Sequence, residues 1–116
     1  MYLRAAFFEG SIRPGCEEAF HRFVDERLVP LWTRFPGATR VEVLREVEAE
    51  DGSHRYPMVL QLTYPDREAI GRALASPVRH ESRAVTQELL KMFDGRVFHV
   101  VYRHAAHAMA ADAARA

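Results

Sequence analysis

His21, Asp25, Leu28 and Trp32 recur at spacings of four, three and four residues. On a helix, residues so spaced share a face. An imidazole one turn from a carboxylate can act as a general base whose orientation the acid holds, which casts His21 and Asp25 as a catalytic pair. Leu28 and Trp32 continue the stripe, and Trp32 could wall an aromatic ligand. The same stripe also reads as a solvated His–Asp pair on a helix surface with Trp32 packed in the core.

A second set of polar residues interrupts apolar runs. Gln61 lies in Met58-Val59-Leu60-Gln61-Leu62, and His99 in Val97-Phe98-His99-Val100-Val101-Tyr102. A polar group inside a sheet needs a partner or a wet cavity. His99 is therefore a second catalytic candidate, and Gln61 and Tyr102 are ligand-binding candidates. By strand alternation His99 and Tyr102 face opposite ways, and the sequence leaves open which face lines a cleft. His80, between Arg79 and Glu81, opens a helical segment that could overhang the mouth of such a cleft, or it belongs to an exposed charged turn. His104 and His107 are three apart, but no cysteine or carboxylate cluster completes a metal site, so no metal is expected. Cys16 has no base beside it in sequence and reads as a structural thiol. Glycine-rich phosphate loops, Gly-x-Ser-x-Gly and paired glycosidase carboxylates are absent, and no cofactor is expected.

The whole chain constrains its partners. It has 116 residues, 16 basic and 16 acidic, with no net charge. That length suits a single domain. Nucleic-acid binders carry a basic excess, and long-range attraction to anionic membranes needs one too, so neither partner is expected. One cysteine gives no internal disulfide. The opening Met1-Tyr2-Leu3-Arg4 reads as the edge of a strand and lacks a leader's arrangement. No apolar run is long enough to span a bilayer, and a soluble cytoplasmic protein is the expectation.

The elements that must position these residues follow from periodicity. Residues 2–9 are apolar and aromatic, a first strand closed by Ser11-Ile12-Arg13-Pro14-Gly15. Ala19, Phe20, Phe23, Val24, Leu28, Leu31 and Phe35 predict a helix over 16–35. Pro30 should kink or tighten it and Pro36-Gly37 stop it. Valine alternates with glutamate over 39–49, Asp51-Gly52 marks a turn, and 56–64 forms the returning strand. Asp66 caps a short helix, and Ser76-Pro77 starts the next. Asp94-Gly95 should end that helix before a fourth strand over 96–103. The alanine-rich stretch 105–116 has nothing large to bury and is expected to fray, leaving 1–104 as the domain.

Strand, helix, strand, strand, helix, strand is the split βαβ, an α+β ferredoxin-like fold with a four-stranded antiparallel sheet. Right-handed crossovers put both helices on one face. The strands are nevertheless apolar on both faces near the sheet centre, where a half-exposed sheet would alternate. A patch of that size is more than monomers usually expose. Packing two sheets face to face would bury it, which predicts a homodimer through the sheet.

With these motifs the sequence resembles the dimeric α+β barrel superfamily, and within it the EthD-like family. The family's His-x-Pro-Leu-x-x-x-Leu-Pro-Gly stretch is matched in spacing by Leu28-Val29-Pro30-Leu31-Trp32-Thr33-Arg34-Phe35-Pro36-Gly37. Arg13-Pro14-Gly15, Ala73-Leu74-Ala75-Ser76-Pro77 and Phe93-Asp94-Gly95 match its other segments, and the resemblance covers nearly everything except the tail. Leu28 stands where the family carries histidine. The resemblance implies a cleft between helices and sheet in each subunit. It implies an enzyme or ligand-binding protein for a small hydrophobic or aromatic compound, such as a cofactor-independent oxygenase, an isomerase or a degradation-pathway accessory. The alternative is a non-catalytic dimeric accessory or interaction module.

Overall fold

Tyr2–Ile12 forms a long first strand, β1, pairing antiparallel with β3 (Met58–Tyr64) on one side and β4 (Phe93–Arg103) on the other. The edge strand β2 (Arg40–Arg45) pairs with β3, giving the order β2-β3-β1-β4. The computed structural model describes residues 1–52 and 55–111. The helical elements are α1 (Glu17–Phe23), a π-helical segment (Val24–Leu28), α2 (Val29–Trp32), α3 (Arg67–Leu74) and α4 (Pro77–Leu89), with a 3-10 turn at Leu90–Met92. This is the expected α+β ferredoxin-like arrangement. Among the described residues no helix is long and apolar enough to cross a membrane.

The predicted first helix is three segments, and Pro30 supplies the reason. Its nitrogen has no hydrogen to donate, and its ring would press on the carbonyl one turn back. The turn before it widens to a π-bulge, in which the Val29 N–H reaches back five residues to the Val24 carbonyl. Asp66 and Ser76 cap as expected. An Asp66 Oδ1 accepts from the Ala69 N–H at 2.7 Å. Ser76 Oγ accepts from the Arg79 N–H at 3.4 Å and donates to the Ala73 carbonyl at 2.6 Å.

Several expected boundaries move, and the first helical run ends at Trp32 rather than at 35. β1 continues to Ile12 because β4 pairs with it throughout, including Gly10 opposite Gly95. For the same reason Asp94-Gly95 is not a helix stop but lies inside β4, which begins at Phe93. β2 ends at Arg45, not near residue 49, because its partner β3 begins opposite at Met58. Beyond it Val47 is 97% exposed. Residues 105–110 are neither helix nor strand and are exposed, while 112–116 of the expected frayed tail lie outside the described residues.

Strand alternation sorts the side chains. One face carries Ala6 and Phe8 of β1 with Met58, Leu60 and Leu62 of β3, packed against Phe20, Val24, Leu28 and Trp32 from the helices. Phe8, Phe20 and Phe93 meet edge-on or tilted, with ring centroids 5.9–6.3 Å apart. The other face carries no helix. Its half-buried residues include Leu3, Phe7, Val59, Phe98 and Val100. Phe7 stacks on Phe98 at 5.3 Å and meets Tyr56 edge-on at 5.8 Å. Arg96 lies over the Phe98 ring and bonds Glu9 at 2.7 Å on the rim.

Candidate functional site

On the helix-bearing face the packing is incomplete between α4 and the sheet. A cleft of about 410 Å³ remains there, within the range of small-molecule sites. Its floor is Ala6 and Phe8 of β1, Leu60 and Leu62 of β3 and Val97 of β4. Trp32 at the end of α2 and Phe35 just beyond it form an aromatic wall. The roof is α4, which turns Arg79, Ser82, Arg83, Thr86 and Gln87 inward. These positions follow the three- and four-residue step of one helix face. Two ion pairs, Arg27 with Glu88 at 3.4 Å and Arg34 with Glu81 at 3.9 Å, lace the first helical run to α4. Both are exposed and orient more than they stabilise.

The two hydroxyl groups of the roof are accounted for locally. The Ser82 hydroxyl donates to the Arg79 carbonyl at 2.8 Å and the Thr86 hydroxyl to the Ser82 carbonyl at 2.7 Å. Their oxygens keep lone pairs to accept from a guest. At one end Arg4 and His99 come together from adjacent strands, under Arg79 and Arg83. Burial of Arg4 lowers the affinity of its guanidinium for its proton, and Arg79 adds to this; the group stays charged. The nearby Tyr64 phenol is pushed up by burial, with Arg4 opposing.

Solvent reaches His99, yet its pKa is pushed down to about 4, first by partial burial of the ring and then by Arg4, Arg79 and Arg83. His99 is therefore neutral at pH 7. It can accept a proton or a hydrogen bond, and its position beside three cations would stabilise negative charge formed next to it.

The other expected site residues are dispersed. His21 lies outside the cleft, its ring edge-on to Phe20 at 5.4 Å. Its Nδ1 is buried without a partner among the described residues. Burial lowers its pKa, Arg45 adds to this, and Asp25 and Glu17 oppose. The expected His21–Asp25 hydrogen bond does not form, because the Asp25 carboxylate instead pairs with Arg45 of β2 and the π-bulge begins between them. Leu28 is fully buried in the core. His80 is exposed on the outer side of α4 and does not line the cleft. Gln61 and Tyr102 lie on the helix-free face, with Tyr102 46% exposed. His99 and Trp32 are the two expected residues that the cleft brings together. Arg4, Arg79 and Arg83 escaped the sequence reading. Arg4 sits among apolar strand residues, and the polar repeat on α4 reads equally as a solvated face.

No family model matches the chain, and no curated protein matches it by sequence. Solved structures do. An ethyl tert-butyl ether D (EthD) family protein from Bacillus halodurans superposes with a TM-score of 0.70 at 19% identity, covering 90% of this chain and 99% of that one. SnoaB, a cofactor-independent oxygenase from Streptomyces nogalater, superposes with a TM-score of 0.60 at 20% identity, covering 91% and 93%. HapK from Hahella chejuensis does so with a TM-score of 0.63 at 16% identity, covering 94% and 98%. The fold is thus the α+β ferredoxin-like one that the EthD-like resemblance implied, and these solved structures share it.

Proposed function

We propose that the chain binds a small aromatic or hydrophobic compound in the cleft beneath α4 and acts on it without a cofactor, with His99 exchanging a proton with the guest. The observation that carries this reading is the cleft itself. It is open where a purely structural module would fill it, its floor and wall are apolar and aromatic, and its charged groups lie together around His99. That division suits a guest whose body is buried and whose reactive group is held at a fixed point. The similar fold of a cofactor-independent oxygenase supports chemistry without a cofactor by analogy. In the same reading the helix-free face packs on a second copy, supported by the half-buried Leu3, Phe7, Val59, Phe98 and Val100.

Trp32 is the single tryptophan and lines the cleft, so its fluorescence reports occupancy. Nitroaromatic probes quench indole on contact. Para-nitrobenzoate and para-nitrobenzyl alcohol are the test pair. Saturable quenching by at least one is expected, and Val97→Phe, which fills the floor, should abolish it while leaving the unfolding transition in place. Absence of saturable quenching by both overturns the reading.

A further inference from the structure

We infer that the cleft takes its guest as an anion, a carboxylate on a ring-sized apolar body, with the carboxylate held by Arg4, Arg79 and Arg83. This deepens the small-molecule reading above and rests on it.

Three guanidinium groups, one from β1 and two from successive turns of α4, meet at the same end of the cleft. Their nearness is felt directly: the charges of Arg79 on Arg4, and of Arg4, Arg79 and Arg83 on His99, all oppose further positive charge. Several arginines elsewhere in the chain are neutralised by carboxylates. Arg13, Arg27, Arg34, Arg45 and Arg96 each sit within 4 Å of a carboxylate. For Arg4, Arg79 and Arg83 no ion pair exists among the described residues, and no carboxylate lines the cleft. The nearest acids on α4, Glu81 and Glu88, are turned outward onto Arg34 and Arg27.

Gathering like charges, one of them half-buried, costs free energy. A lysine or histidine could relieve the cost by losing its proton. Arginine cannot, so relief must come from an anion. His99, neutral beside them, adds a hydrogen bond without adding repulsion. Guanidinium matches a carboxylate with parallel bonds, and the apolar floor and Trp32 wall beyond it fit a ring. An inorganic anion would satisfy the arginines and leave the floor wet, while a neutral aromatic would do the reverse. A guest with both parts satisfies the whole cleft.

The test compares three probes by Trp32 quenching, with acetate read by competition: para-nitrobenzoate, para-nitrobenzyl alcohol and acetate. The nitrobenzoate should bind at least about tenfold more tightly than either of the others, the size of one charge-assisted contact. Added salt should narrow the gap. Arg79→Gln and Arg83→Gln, both on the roof helix α4, should each weaken binding of the acid well beyond that of the alcohol and so remove most of the preference. Arg4→Met tests the half-buried cation in the same way, and should it fail to fold the two α4 variants still decide. Equal affinity of acid and alcohol overturns the anion inference and leaves the aromatic cleft standing. A preference that survives in both α4 variants overturns the arginine assignment. No quenching by either nitroaromatic overturns this inference together with the reading beneath it.

Discussion

Gly10 and Gly95 face each other across β1 and β4, and neither has room for a side chain. A Cβ on Gly10 would lie 2.1 Å from the Asp94 carbonyl oxygen, and one on Gly95 would lie 2.0 Å from that of Glu9. Both residues have positive φ, 142° and 154°, which L side chains avoid. Gly10→Ala or Gly95→Ala should therefore destabilise by about 2–4 kcal/mol, read as a lower midpoint in urea. Gly71, on α3 with open space around it, is the control. Gly71→Ala should be neutral or stabilise by up to about 1 kcal/mol.

His99 makes stability depend on pH. Its folded pKa of about 4 lies below the ordinary 6.5, so on acidification the unfolded chain takes up a proton first. Stability is full above pH 6.5, falls as pH drops from 6.5 toward 4, and levels off below. Because solvent reaches the ring, the loss should be modest, about 1 kcal/mol after screening. His99→Gln should flatten the urea midpoint over this window relative to wild type. A carboxylate held by Arg4, Arg79 and Arg83 would offset their charge and raise the His99 pKa. Para-nitrobenzoate affinity should then rise as pH falls into the window, and do so less in His99→Gln.

Ser76 joins the stability of α4 to the geometry of the cleft. Its hydroxyl accepts from the Arg79 N–H and donates to the Ala73 carbonyl, so it fixes the turn that carries Arg79. Ser76→Ala should cost about 1–2 kcal/mol in stability. It should also weaken nitrobenzoate binding more than nitrobenzyl alcohol binding. Equal weakening of both would disconnect the cap from the anion end.

The helix-free face predicts assembly. Wild type should run in light scattering at about 27 kDa, twice the 13.3 kDa chain. Val100→Asp together with Phe98→Asp, on the stacked Phe7–Phe98 patch, should give a monomer with unchanged helical circular dichroism. A wild-type monomer at micromolar concentration would refute the dimer.

His21→Ala should leave both nitroaromatic affinities unchanged, since His21 does not line the cleft. A tenfold loss would return the site to the first helix.

Local signals account for most of what the sequence revealed. Ser76-Pro77 and Asp66 mark element ends through backbone chemistry that acts within a few residues, and each marks one here, whereas Pro36-Gly37 lies four residues past the helix end at Trp32. The strand ends were less legible because pairing is non-local. Asp94-Gly95 has the composition of a helix stop, and pairing with Ser11 and Gly10, far away in sequence, makes it strand. The same distinction divides the site. Trp32 and His99 stood out as unusual residues in regular patterns. Arg79 and Arg83 did not, because a charged helical face looks the same whether it meets water or a cleft. The His21–Asp25 stripe assumed regular turns, and the consequence of Pro30 for the preceding turn undid that phase.

On β1, neighbouring residues serve opposite faces of the sheet. Arg4, Ala6 and Phe8 look into the cleft, while Leu3, Ala5 and Phe7 look away from it. Adjacent codons on one strand thus govern separate traits. Substitution at the even positions can retune what the cleft accepts, and substitution at the odd positions can retune what meets the open face. In the reading proposed above, a lineage built on this strand could change its chemistry and its assembly independently, one mutation at a time.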